Sequence, residues 1–339
     1  MTSLLPDTLN LATLLSRRYR PEQLPDLTGK VALVTGGSAG IGYYDALALA
    51  RAGAEVIITG ANPEHGPKAE KEINQAAKQN GSSGSVRWYQ NEMADLHEVD
   101  ALAKKLAREL KRLDILILNA AIAQAPYGLT ADGVERHFEV NNLSHYVITL
   151  RLLPLMEKTA QQAPLASVRI VTQSSELHRA TPTDIQFVSL EEVNQDRDGL
   201  ILYGQTKLGL ILLAKQLVAR KFSSMDKPVL AMSVHPGTVD TEFQKAWTES
   251  YGNIFGKAAE KITATLGKSA PEGAEASLWA AASTDINADN WRDYQGNYYT
   301  EAYGKPEQES NQGKDLKLGD NFWNLCAKLS KKILGEDLQ

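Results

Sequence analysis

Cysteine is almost missing from this sequence: its 339 residues include one, Cys326, so no internal disulfide can form and the usage suits a reducing compartment. Long apolar runs are missing too. No stretch approaches the roughly 18 residues needed to span a bilayer, which argues against a membrane-embedded chain. A basic excess is absent: 36 Lys and Arg against 41 Asp and Glu give a net charge of −5, so nucleic acid is not an expected partner. Residues 1–20 lack the basic start, apolar core and small-residue cleavage site of a secretory signal, and the expected location is cytoplasmic. Histidine is sparse, with six in all. The carboxylates Asp184, Glu191, Glu192, Asp196 and Asp198 therefore read as a solvated acidic insertion, and no metal site is expected.

What is present is alternation. Apolar, β-branched runs at 31–35, 55–59, 86–89, 114–118, 169–172, 229–234 and 296–299 are strand-like, with helical patterns between them at 67–78 and 98–111. The Ile-Leu-Ile-Leu run at 115–118 suggests burial on both faces. Together these predict an α/β fold: a single doubly wound Rossmann domain with a mostly parallel sheet and helices on both faces. We expect residues 1–26 to be an N-terminal arm, 27–310 the catalytic body with a substrate lid around 242–270, and 311–339 a helical tail.

The first strand runs into Thr35-Gly36-Gly37-Ser38-Ala39-Gly40-Ile41-Gly42. Gly36 permits a sharp turn after the strand, Gly40 lets a pyrophosphate approach the main chain, and Gly42 allows the next helix to pack close to the sheet. That helix's N-terminal amides are donors for an anion. Further along, Tyr203 and Lys207 are four apart, which on a helix puts them on one face, where an ammonium favours the ionised form of a phenol.

Taken with Asn141 and Ser175, these features resemble the short-chain dehydrogenase/reductase family. The resemblance runs from about Leu27 through most of the chain. The segments Asp26-Leu27-Thr28-Gly29-Lys30-Val31, Val140-Asn141-Asn142-Leu143-Ser144-His145, Tyr203-Gly204-Gln205-Thr206-Lys207-Leu208 and His235-Pro236-Gly237 are similar to the retinol-dehydrogenase-like and WW-domain-oxidoreductase-like branch. The resemblance implies four catalytic residues. Tyr203 would exchange a proton with the substrate oxygen, Ser175 would hydrogen-bond that oxygen, and Lys207 would hold the nicotinamide ribose and lower the phenol's pKa. Asn141 would anchor a water that continues the proton relay. Ser174 precedes Ser175, and the second serine of such a pair is the family's catalytic one. A phenol with a pKa of about 10 is a poor base near neutrality, so neighbouring positive charge has to stabilise its anion; hydride transfer belongs to the cofactor.

The cofactor contacts implied are Gly36, Ser38, Gly40, Ile41 and Gly42 at the turn, Glu92 toward the adenine amine, Asn119 and Ala120 after the fourth strand, and Tyr203 and Lys207 themselves. Pro236, Gly237 and Thr241 would meet the nicotinamide amide. Leu118 and Ala121 depart from the family's Asn-Asn-Ala-Gly. The end of strand two reads Thr59-Gly60-Ala61-Asn62, with neither the acid that selects NAD nor an arginine for NADP. The branch leans to NADP over NAD, and His65 and Lys68 are within reach of a phosphate if their loop folds inward.

Phe243, Trp247, Tyr251 and Phe255 recur every four residues and suit either a greasy substrate or the packing of a lid. Leu177, His178 and the segment 124–127 add candidate walls, with His178 read as a loop residue and not as a second acid. At the C-terminus Phe322, Trp323, Leu325, Leu329 and Ile333, interleaved with Lys328, Lys331 and Lys332, form a basic amphipathic helix that reads first as docked on the body. The expected activity is interconversion of a hydroxyl and a carbonyl on a bulky, mostly apolar small molecule with a nicotinamide cofactor. The alternatives are a non-catalytic dinucleotide-binding regulatory protein and a redox-neutral isomerase or dehydratase. A homo-oligomer stays open, although the long tail would obstruct the family's usual interface.

Overall fold

The computed structural model describes residues 18–123, 125–237 and 268–338. Its centre is a sheet of seven strands: β1 (Val31–Thr35), β2 (Glu55–Gly60), β3 (Ser85–Gln90), β4 (Ile115–Leu118), β5 (Arg169–Gln173), β6 (Leu230–Val234) and β7 (Tyr298–Tyr299). They lie in the order β3-β2-β1-β4-β5-β6-β7, and every pairing is parallel. The strand order reverses between β1 and β4. A crevice opens there beyond the carboxyl ends of the strands, where doubly wound folds bind ligands.

Among the described residues the seven helices of eight residues or more are α1 (Gly40–Arg51), α2 (His65–Gln79), α3 (Leu96–Glu109), α4 (Ser144–Gln162), α5 (Gly199–Leu217), α6 (Ala270–Ala282) and α7 (Leu316–Leu334). Caps explain the boundaries that differ from the sequence pattern. The Asp95 carboxylate accepts from Glu98 N at 3.0 Å and starts α3 two residues early, and Asn62 Oδ1 gathers the amides of Glu64 and His65 just ahead of α2. β7 is shorter than the apolar run because Gly296, at φ +77°, turns the chain just before it.

β1, β4, β5 and β6 are buried along their whole length, as strands covered on both faces must be. One face of the sheet carries a core built with α3, α4, α5 and α7, including Leu116, Tyr146, Leu210, Phe322 and Trp323. The other carries α1, α2 and α6, with Leu49, Ile73, Trp279 and Tyr19. Helix α7 packs its apolar face inward: Trp323 meets Tyr146 edge to face at 5.0 Å, and Phe322 meets Phe187 at 5.4 Å. Gly209 of α5 makes this possible, since a Cβ there would lie 2.7 Å from the Phe322 ring. At the other end of the chain Arg18 pairs with Glu275 of α6 at 2.5 Å, and Tyr19 is buried behind it. No helix among the described residues is long and apolar enough to cross a membrane.

Candidate active site

The glycine turn leaves β1 at the crevice. Gly36 sits at φ +66° and Gly40 at φ +55°, a region other residues enter at a cost. A Cβ on Gly42 would come within 2.5 Å of Gly36 O and 2.4 Å of Asn119 Nδ2, so the entry into α1 closes only without a side chain. A Cβ on Gly40 would meet nothing within 4 Å. Open space faces the backbone at that point, and Ala39, the residue before α1, offers the helix no side-chain cap. Its first amides are therefore donors without an intrahelical partner, beside that space, which fits a dinucleotide pyrophosphate.

Asn119 and Ala120, after β4, clamp the turn from below. Both of their amides donate to Thr35 Oγ1, at 2.9 and 3.0 Å, and Asn119 Nδ2 donates to Thr35 O at 2.9 Å. Ser38 and Ile41 are half-buried at the rim. Beside Ser38 and Gly40 lies a cavity of about 230 Å³ whose walls include Tyr43, His65, Lys68 and Glu72. Glu92 is exposed, and its Oε1 accepts from Ala94 N at 3.0 Å, a turn within its own loop. Its neighbour Asn91 is fully buried just past β3, with neither amide atom hydrogen-bonded among the described residues, a polar group the sequence pattern passes over. Pro236 and Gly237 follow β6 on the same side of the sheet, with Gly237 at φ +86°. Thr241, Phe243, Trp247, Tyr251 and Phe255 lie outside the described residues, as does most of the lid segment.

Asp198 caps α5 by accepting from Leu200 N at 2.9 Å, and this buried helix carries Tyr203 and Lys207 into the crevice. The Tyr203 hydroxyl is hydrogen-bonded to Ser175, and Lys207 Nζ stands 5.2 Å from the centre of the tyrosine ring. Lys207 Nζ donates to Gln173 O at 2.8 Å and has no salt-bridge partner among the described residues. Ser174 Oγ is committed to Lys207 O at 2.7 Å in the interior, whereas half-buried Ser175 accepts from Leu177 N and faces the tyrosine. Burial pushes the Tyr203 pKa up, against the opposing pull of the Ser175 bond, and drives Lys207 down to about 7.

Asn141 lies in a π-turn (Glu139–Leu143) just before α4. Its side chain is occupied by protein: Oδ1 accepts from Ile122 N at 2.9 Å, and Nδ2 donates to Ile122 O and to Thr206 Oγ1 at 2.9 Å. It thereby ties the chain after β4 to the helix bearing Tyr203 and Lys207. Its carbonyl accepts from His145 Nδ1 at 2.9 Å, and His145 Nε2 accepts from Thr35 Oγ1 at 2.9 Å. A carbonyl can only accept, so the proton sits on Nδ1. Burial holds this imidazole neutral, with its pKa lowered to about 3. Two further links were not legible in the motifs. Gln173 joins Asn119 Oδ1 at 3.1 Å to the Lys207 ammonium through its own carbonyl, and His178 is buried beneath Ser175. The structure thus brings Asn141, Ser175, Tyr203 and Lys207 together at the carboxyl edge of the sheet, beside the glycine turn.

The sequence profile described as short chain dehydrogenase matches residues 30–252. The mitochondrial oxidoreductase bli-4 of Neurospora crassa is 33% identical over 319 residues, covering 93% of this chain and 74% of that one. Retinol dehydrogenase 12 of Mus musculus is 31% identical over 304 residues, covering 89% and 87%. Among solved structures, an NAD(P)-dependent gluconate 5-dehydrogenase from Beutenbergia cavernae with bound NADP superposes with a TM-score of 0.57 at 24% identity, over 80% of this chain and 95% of that one, a likeness of fold. The chain belongs to the short-chain dehydrogenase/reductase family, in its retinol-dehydrogenase-like branch, and is an oxidoreductase that works by hydride transfer with a nicotinamide dinucleotide.

Proposed function

We propose that the protein interconverts a hydroxyl and a carbonyl on a bulky, mostly apolar small molecule, with NADP as its preferred dinucleotide and with Tyr203, Ser175, Lys207 and Asn141 in the roles the family resemblance implies. The observation that carries this reading is the trio of buried Tyr203, the half-buried Ser175 bonded to it, and a buried ammonium with no acidic partner among the described residues. When bound, the dinucleotide supplies or accepts hydride and, oxidised, adds positive charge. Tyr203 then gives its proton to a carbonyl oxygen, or takes one from a hydroxyl, while Ser175 holds that oxygen in place. Lys207 favours the phenolate by its charge. Asn141 would anchor the water that continues the proton relay, and its side chain ties the chain after β4 to α5 through Thr206.

Gly36, Gly40 and Gly42 would hold the pyrophosphate, and Asn91 is better placed than the self-bonded Glu92 to meet the adenine. The NADP preference rests on two features. β2 ends at Gly60 with no carboxylate to repel a 2′-phosphate, and the cavity beside Ser38 is walled by His65 and Lys68, although Glu72 lies 4.0 Å from the Lys68 ammonium. The apolar substrate is supported by the alcohol in the name of the mouse relative. We keep the cytoplasm as the proposed compartment; imaging of the full chain with a C-terminal tag tests it against the mitochondrial placement in bli-4's name.

The test is a panel of nonanal, acetophenone, benzophenone and the corresponding alcohols, assayed with NADPH or NADP and with NADH or NAD, together with the dissociation constants of the two reduced cofactors. Turnover of an apolar member and tighter NADPH binding are expected. Tight cofactor binding without turnover of any member would favour a binding protein, and tighter NADH binding would overturn the cofactor assignment.

A further inference from the structure

His178 lies one turn beyond Ser175, in a short 3-10 segment (Glu176–Ala180), and its side chain is fully buried. Both ring nitrogens are engaged. Nδ1 is 2.7 Å from the carbonyl oxygen of Ser175, which can only accept, so Nδ1 carries the proton and donates it. Nε2 lies 2.9 Å from the backbone nitrogen of Ser310, whose N–H donates to it. One neutral tautomer satisfies both bonds, and neither the imidazolium nor the other tautomer does. The Ser175 carbonyl also accepts from His178 N at 3.0 Å, so this single residue fixes the backbone of the serine twice.

The surroundings hold the ring in that pose. Tyr298 of β7 packs edge to face on it at 5.1 Å, and the tyrosine hydroxyl donates to Glu176 Oε1 at 3.0 Å. On the far side, the segment that donates the Ser310 amide is bolted to the same turn: Arg179 bonds Gln308 O, and Gln312 Nε2 donates to Pro182 O at 2.9 Å. Buried Glu309 pairs with Lys215 of α5 at 2.7 Å. A chain segment 132 residues away in sequence thus reaches the backbone of the serine through one imidazole.

We infer that His178 is a positioning residue for the reaction: by donating to Ser175 and accepting from Ser310 it sets the serine's backbone, and it makes the segment around Ser310 part of the catalytic framework. The inference rests on the proposed role of Ser175. Among the described residues the charged and titratable groups facing the ring are Glu176 and Arg179 on its own turn, Glu309 beside Ser310, His235 just past β6, and Tyr298 on β7. Burial keeps the imidazole below its ordinary pKa, which preserves the neutral form the two bonds require.

Two measurements on the full-length protein with NADP test this. First, NMR of isotope-labelled histidine, with the His178→Asn variant to assign the signal, reports the tautomer near neutral pH: a protonated Nδ1 and a bare Nε2 are expected, and a protonated Nε2 overturns the inference. Second, Ser310 has φ −64°, which a proline accepts, so Ser310→Pro removes the amide hydrogen and the cap and sets the ring Cδ against Nε2, while Ser310→Ala deletes the cap alone. With the panel compound that the unsubstituted enzyme turns over fastest, Ser310→Pro should lower kcat about tenfold relative to Ser310→Ala, at unchanged NADPH affinity. His178→Phe, which keeps the ring contact with Tyr298 but neither bond, should lower kcat by about 10–100-fold, and His178→Asn, which can still donate to Ser175, should recover most of that loss. Equal kcat in Ser310→Pro and Ser310→Ala, or an unaffected His178→Phe, overturns the inference. Ser175→Ala separates the two claims: if it leaves turnover intact, the proposed role of Ser175 fails; if it abolishes turnover while the other variants do nothing, only the inference about His178 fails.

Discussion

The two halves of the sheet handle polar chemistry in opposite ways. From β1 to β4 the crevice is shaped by backbone and by missing side chains. Gly36 and Gly42 close the turn because no Cβ intervenes, and the buried acids Asp100 and Asp114 are each neutralised by two cations, Lys104 with Arg151 and Lys30 with Arg112. From β5 onward the crevice is shaped by side chains held in the interior: Lys207, His178 and His235 are all buried, and burial lowers the pKa of each. One half offers a template of amide donors for a ligand whose charge is already in place, and the other holds titratable groups in the interior, where burial favours their neutral forms. Substitutions in the first half should therefore act on cofactor affinity, and those in the second on turnover.

The largest effect that sharpens this contrast is at Tyr203. Tyr203→Phe removes one oxygen from a fully packed position, so the fold should hold. kcat should fall by about 1,000-fold or more, with the NADPH dissociation constant within about threefold of the original. Stopped-flow turnover and fluorescence titration of the cofactor check the two halves of that statement, and a comparable loss in both would erase the division of labour. The mirror-image variant is Gly42→Ala. Its Cβ would fall 2.5 Å from a backbone oxygen that cannot move without opening the turn. NADPH should bind about 100-fold more weakly, while kcat at saturating cofactor changes little.

A milder test lies at the edge of the first half, where a side chain is proposed to matter. Lys68→Glu places a second acid beside Glu72 in the cavity next to Ser38. The ratio of NADH to NADPH dissociation constants should fall by about tenfold, with kcat unaffected. An unchanged ratio would show that the backbone alone reads the dinucleotide.

How far the sequence foretold each half follows from the same contrast. The glycine turn, strands one to four and the helices between them were legible because each depends on neighbours in sequence: β-branched runs, cap residues and the spacing of Thr35, Gly36, Gly40 and Gly42. The doubly wound sheet followed from that alternation. Tyr203 and Lys207 were legible as a pair one helical turn apart, and the placement of Asn141 and Ser175 beside them came from the family resemblance. What stayed hidden rests on distant partners. His145 bonds Thr35 across 110 positions and His178 bonds Ser310 across 132, and nothing local marks either histidine as more than a core or loop residue. Asn91 escaped notice because its neighbour Glu92 occupies the position that the family pattern singles out. The amphipathic pattern of α7 showed an apolar face, but its seat on α5 depended on Gly209, whose missing side chain admits Phe322.

One residue breaks the contrast. Asp45 lies in α1, in the half that otherwise works through backbone, yet it is fully buried; Ser277 of α6 donates to its Oδ1 at 2.6 Å, and Oδ2 has no hydrogen-bond partner among the described residues. Burial raises its pKa from 3.8 to about 8, so in the folded protein it is a neutral acid near pH 7. The sign of the consequence is fixed by linkage. Between 3.8 and about 8 the unfolded chain has lost this proton while the folded chain retains it, so this residue's contribution to stability declines as pH rises through that window and levels off above it. Asp45→Asn keeps the acceptor for Ser277 and removes the titration. The two proteins should melt at similar temperatures at the acid end of the window, and the variant should gain a lead of a few degrees, growing toward about pH 8 and constant beyond it. Melting curves across the pH range with NADPH turnover measured in parallel decide the matter. A lead that does not change with pH would mean that Asp45 is already ionised in the fold, and a change in turnover would move it into the catalytic half of the comparison.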